Sequence, residues 1–202
     1  MNQTDQIVSA KQELTHLFLE EFSNTNYDGV SISKVCKEHH ISKGQLYHHF
    51  KSKDEIYLYC INYTYQTLIQ YLTENYHITH HFNDDIKHFI FVRTHFGVDF
   101  PILNKLFLNS LVNVPEHLDE RITQHKNELV NFNKQTLLSL LADAPIIDGL
   151  SKQDAIDYYL FVIDAFNFEL SKLETLEMEY YNRKLSKTLQ MMLYGTIKRE
   201  DQ

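Results

Sequence analysis

Two serine-capped helix starts lie ten residues apart, at Ser42 and Ser52, and they constrain the chain more than any other feature. Ser42-x-x-Gln45 and Ser52-x-x-Glu55 both carry the capping-box pattern, in which a hydroxyl accepts from a backbone N–H of the first turn. The second start obliges the first helix to end near Phe50, so a short helix is pinned between two neighbours. Upstream, Ser31 is a further N-cap, opening a helix to about Glu38 with Ile32, Val35 and Cys36 on one face. His39-His40-Ile41 is left as the turn. Val30 to Ile56 therefore reads as a supporting helix, a three-residue turn and a short helix. Ile32, Val35, Cys36, Ile41, Leu46 and Phe50 supply a small core, which leaves Lys43, Gln45, Tyr47, His48 and His49 to face outward.

The flanks are helical too. Ile7, Leu14, Leu17, Phe18 and Phe22 recur at helical spacing from about Asp5 to Asn24, and Asn24 to Gly29 is a run of turn formers. The helix opened by Ser52 extends to about Asn75. Asn83-Asp84-Asp85 starts another, with acids at the positive end of the helix dipole. Pro101 and Pro115 suit first-turn positions, and Glu116 to Ala142 reads as one long helix closed by Ala144-Pro145. Ser151-Lys152-Gln153-Asp154 caps a further helix, and the last runs to about Lys198. With 5 glycines, 3 prolines and no alternating apolar run in 202 residues, the fold class expected is all-α.

Composition narrows the setting. No stretch approaches the roughly 20 apolar residues of a membrane span. The first eleven residues lack the basic-then-apolar order of an export signal, and Cys36 and Cys60 show no CxxC spacing. A cytoplasmic protein without a disulfide framework is expected. The formal net charge of −8 looks wrong for nucleic-acid binding, but between Val30 and Lys53 five lysines (34, 37, 43, 51, 53) stand against Glu38 alone. A positive spot on an acidic body suits binding through one local face. No nucleophile elbow, phosphate loop, HExxH or dinucleotide fingerprint is present, so no enzyme activity and no cofactor are expected.

In a helix-turn-helix the second helix enters the major groove while the first braces it. The stretch resembles the DNA-binding module of the TetR family of bacterial regulators, through Ser31, Val35, Ile41-Ser42-Lys43-Gly44, Leu46-Tyr47, His48, Phe50 and Lys51-Ser52-Lys53 with Glu55. The match is strong over the first quarter of the chain and extends beyond it only in length and helical character. Two residues depart from the pattern. His39-His40 stands where the family has a small residue and then glycine, so either the turn is strained or His40 contacts the phosphate backbone. Cys36 stands where alanine is usual, and its place on the helix predicts an inert, buried thiol.

The resemblance implies a DNA-binding domain over 1–52, with the helix-turn-helix at 31–50, and an effector-binding and dimerisation domain over 53–202. It implies a transcriptional regulator that binds a palindromic double-stranded operator as a homodimer and represses by occlusion. Lys43 and Gln45 would lie nearest the base edges, where Gln45 can pair with adenine and Lys43 can reach guanine or a phosphate. Tyr47 resembles a phosphate-binding tyrosine, and His48 and His49 are placed for bases or phosphates. Ser31, Ser42 and Lys53, at helix starts, complete the set.

By the same resemblance the remaining helices bind a small molecule and the last two pair with a second subunit. Phe89, Phe91, Phe96, Phe100, Phe107, Phe132, Tyr158 and Phe161 are candidates for the cavity wall, with Arg93 and His95 as polar groups. They imply a hydrophobic or aromatic effector, whose binding would tilt the helix after Lys53 and move the two reading heads apart. From Tyr158 to Phe168 almost no polar face remains, which independently demands cover on all sides. Tyr159 and Phe166 there, with Tyr181, Leu185, Leu189 and Met192 of the last helix, are the expected dimer residues; Met178 extends that stripe. His77, His80, His81, His88 and His95 lie near Asp84 and Asp85, but they straddle a connection where solvated histidines are common, so no metal is expected.

Overall fold

The computed structural model describes residues 3–142, 144–173 and 176–196, without the side chains of 3–10, 171, 193, 194 and 196. Among the described residues the regular structure is helical: α1 Gln3–Asn24, α2 Ile32–Glu38, α3 Lys43–His49, α4 Lys53–Asn75, α5 Phe82–Asp99, α6 Pro101–Val112, α7 Asp119–Leu140, α8 Lys152–Ser171 and α9 Met178–Thr196. The all-α reading holds. None of these helices is long and apolar enough to cross a membrane. Lys198, the expected end of the last helix, and the Ile7 side chain lie outside the described residues.

The expected helix from Glu116 to Ala142 is divided. Glu116–Leu118 forms a separate 3-10 turn behind Pro115, and α7 begins only at Asp119. Proline fixes its own φ and withholds an N–H, so the chain enters the helix through a tighter turn. His81, rather than Asn83, is the cap residue of α5.

α4 is the structural axis. Ile56, Tyr57, Cys60, Ile61, Thr64, Tyr65, Leu68 and Leu72 are all buried along it, because α1, α5, α6 and α7 pack around it. α1 packs on α2 of the module as well as on α4 and α6: Phe18 and Phe22 are buried, and its last turn is held by Asn109 of α6, whose Nδ2 donates to the Ser23 carbonyl at 3.0 Å. The reading module and the larger helical unit therefore share one continuous core.

α8 and α9 divide their apolar residues differently from expectation. Tyr159, Tyr181, Leu185, Leu189 and Met192 are buried within the chain's own core, each at 5% exposure or less. Phe161 is 70% exposed, Met191 69% and Tyr158 48%. A stripe at spacings of three and four marks a face that must be covered, but it does not say by which chain.

Candidate functional site: a nucleic-acid interface and a cavity

The turn between α2 and α3 is a Schellman motif. His40 takes φ +56°, the Ile41 N–H reaches back to the Cys36 carbonyl at 2.8 Å, and the His40 N–H reaches Lys37 at 3.4 Å. The residue standing where glycine is usual thus adopts the left-handed conformation glycine provides. We expect His40→Gly to raise the unfolding free energy by about 0.5 kcal/mol, since relief of about 1–2 kcal/mol of left-handed strain outweighs glycine's entropic cost. Denaturant midpoints test the strain, and an unchanged affinity for DNA would exclude a phosphate contact by the imidazole.

Ser42 then opens α3, its Oγ accepting from the Gln45 N–H at 3.0 Å. Ser31 does the same for α2, from Lys34 at 3.4 Å. Leu46 and Phe50 point inward, at 0% and 1% exposure, and meet Val35 and Cys36 in the module's core. With Leu46 and Phe50 so anchored, Lys43, Gln45, Tyr47 and His48 are exposed, as are Ser31 and Ser42. His49 is half-buried, its ring edge-on to His48. The structure thus leaves most of the expected reading residues exposed on or beside a short helix that is anchored through Leu46.

The α4 start is held more elaborately than a capping box. Ser52 Oγ accepts from the Glu55 N–H at 3.2 Å, but Glu55 Oε2 accepts from Lys51 N, one residue before the cap, at 2.7 Å. That backbone donor, with Lys11 Nζ of α1 at 3.5 Å, holds the Glu55 carboxyl below its ordinary pKa. Lys11 also sits over the rings of Phe50 and Tyr59, at 4.8 and 4.7 Å.

A second knot ties this start to the larger unit. The Tyr27 hydroxyl donates to Asp54 Oδ1, which also lies 3.3 Å from His117 Nε2 in the 3-10 turn before α7. The Tyr27 hydrogen bond is the main cause holding the Asp54 carboxyl below its usual pKa. Lys53 Nζ lies 4.4 Å from the centre of the Tyr27 ring, half-buried, so a phosphate would compete with or share that cation–π contact. Lys11, Tyr27, Asp54 and His117 were not among the sequence-predicted residues; their contacts are long-range, and nothing local in the sequence marks them.

The cavity lies among α4, α5, α6, α7, α8 and α9, with about 240 Å³ of open volume. Arg93 and Phe107 line it, as do Phe89, Lys126, Asn133 and Tyr181. Other expected wall residues lie elsewhere. Tyr158 and Phe161 point to the outside of α8. Phe96 is buried in the core against Tyr71 and Phe100, and Phe132 packs half-buried on the core. His95 stacks on the exposed Phe91 and lies 3.8 Å from Asp99. Conversely Tyr159, Phe166, Tyr181, Leu185 and Leu189, expected at a dimer seam, face this cavity. The alternation of walls around α8 and α9 explains the exchange: on both helices the inward stripe closes the cavity and the outward residues are left on the surface.

Of the histidines near the α4–α5 connection, His77, His80 and His81 are exposed, and His88 lies against the Tyr76 ring. Asp85 is buried and accepts from the Thr79 N–H and hydroxyl. Among the described residues no cluster of three His, Cys, Asp or Glu is placed to hold a metal ion.

Comparison with known proteins points the same way. Residues 19–60 match the family model described as bacterial regulatory proteins, tetR family. The chain is 30% identical over 154 residues to the biofilm operon icaADBC HTH-type negative transcriptional regulator IcaR of Staphylococcus epidermidis, a match covering 74% of this chain and 78% of that protein. Two solved structures share the fold. The transcriptional regulator FadR from Bacillus subtilis, in complex with stearoyl-CoA, has a TM-score of 0.67 at 16% identity, covering 91% of this chain and 98% of that one. A TetR transcriptional regulator from Chloroflexus aurantiacus has a TM-score of 0.65 at 16% identity, covering 96% and 100%.

Proposed function

The chain belongs to the TetR family of bacterial transcriptional regulators, and from that premise we propose that it is a repressor that binds a palindromic operator as a homodimer and leaves it when a small molecule enters the cavity. The observation that carries this reading is the set of exposed polar side chains on α3, a helix anchored by the fully buried Leu46. Lys43 and Gln45 are the base readers, and Tyr47 and His48 extend along the same face. Ser31, Ser42 and Lys53 hold the flanking phosphates, which fix register without reading sequence. A regulator whose relative is a negative regulator represses most simply by occluding the promoter.

Release follows from the tie between Asp54 and His117. The 3-10 turn that carries His117 runs directly into α7, and α7 supplies Lys126, Leu129 and Asn133 to the cavity wall. A ligand that shifts α7 therefore pulls on the start of α4, beside Lys53. Operator affinity falls by as much as the ligand prefers the shifted state.

The phosphate assignments are tested by fluorescence anisotropy on a palindromic duplex across a salt series. Tyr47→Phe and Lys53→Ala are each expected to weaken binding several-fold. Only Lys53→Ala should also reduce the slope of log affinity against log salt, by about one, because only it removes a cation. An unchanged affinity and slope in both variants would remove these residues from the interface.

A further inference from the structure

We propose that the cavity takes a small aromatic carboxylate, its carboxylate paired with Arg93 and Lys126 and its ring set among the aromatic walls; the assignment rests on reading the cavity as the effector site. Arg93 is 5% exposed, and its guanidinium cannot shed its proton to escape the cost of burial. Its hydrogen-bond partner is the neutral Tyr181 hydroxyl at 3.1 Å, and the Phe107 ring lies 4.8 Å away. Among the described residues no carboxylate lies within ion-pairing distance of it, although the chain has 27 acidic residues to 19 basic.

Lys126 faces the same cavity from α7, and burial holds its ammonium pKa below the ordinary lysine value. Among the described residues no acidic side chain lines the cavity. Asn133, also on the wall, has a buried Oδ1 with no hydrogen-bond partner, an acceptor open to a donor group elsewhere on a ligand rather than to its carboxylate. One buried and one half-buried cation beside a largely apolar space are what an incoming anion would complete.

Size and lining narrow the anion. The volume of about 240 Å³ falls below the roughly 300–1,000 Å³ of drug-sized pockets, which leaves room for one ring and a short chain. Tyr65, Phe89, Phe107 and Phe166 offer aromatic surface for that ring. A carboxylate suits one guanidinium fork and one ammonium. A phosphate would bring up to about two charges and three acceptor oxygens to a wall with few donors.

The test is isothermal titration calorimetry on the full-length protein at pH 7.5. The probes are benzoate, 3-phenylpropionate and 5-phenylpentanoate, each beside its own primary amide. At least one acid should bind at least tenfold more tightly than its amide, and Arg93→Gln should erase that preference. Lys126→Gln, at a half-exposed position that keeps the fold, should reduce it several-fold; circular dichroism checks both variants. Equal binding of every acid and its amide, or no binding by any, overturns the assignment, as does a preference unchanged in both variants. Operator affinity is measured separately. An acid that binds selectively and leaves that affinity unmoved upholds the ligand chemistry and refutes ligand-driven release instead.

Discussion

Leu46→Ala is expected to lower the unfolding free energy by about 2–5 kcal/mol, the range for a fully buried leucine that leaves a cavity behind. Leu46 has 0% exposure and lies at the module's end of the continuous core, which also includes Val35, Cys36 and Phe50. The same α3 helix carries Tyr47 at 46% exposure, and Tyr47→Ala should stay within about 0.5 kcal/mol of the parent protein. Urea denaturation followed by circular dichroism separates the two. The pair matters because adjacent residues are assigned opposite duties, one holding the helix and the other meeting DNA. Similar losses from both substitutions would mean that the face assigned to DNA is packed against something else.

The second large effect concerns assembly. Phe161 of α8 and Met191 of α9 are 70% and 69% exposed, apolar side chains left in water on the outer face of both helices. Exposed apolar surface of this kind marks an interaction site, and a second copy of the chain is the occupant proposed here. The double substitution Phe161→Asp with Met191→Asp should therefore give a monomeric mass by light scattering, where the parent gives a dimer. Affinity for a palindromic duplex should fall by about 10²–10⁴, because each head then binds without the other's effective concentration. A parent protein already monomeric at micromolar concentration would defeat the proposal, as would a variant that stays dimeric.

The reading module was legible in the sequence because its signals are local. A cap acts on the N–H three residues on, and the Ser31, Ser42 and Ser52 caps all appear where the spacing put them. The strained turn was legible for the same reason, since His40 occupies the one position whose backbone must turn left-handed. The cavity was only partly legible. Arg93 and Phe107 face it, but Tyr158 and Phe161 point outward while Tyr159 and Tyr181 point in. On a helix apolar all round, residue type carries no information about which side meets the chain's own core. That is settled by how α8 packs on α6, α7 and α9, which is a long-range matter. The Tyr27–Asp54–His117 knot was illegible for the same reason: it joins three segments up to 90 residues apart in sequence.

The most direct measurement is selection of bound duplexes from a randomised pool by the full-length protein, followed by footprinting and stoichiometry on the winner. A palindrome with half-sites about one helical turn or a multiple apart is expected, protected on one face and bound by an even number of chains, with Lys43→Ala and Gln45→Ala relaxing the preference at the bases they touch. Recovery of no enriched sequence at moderate salt, or enrichment unchanged in both variants, would contradict a reading head on α3.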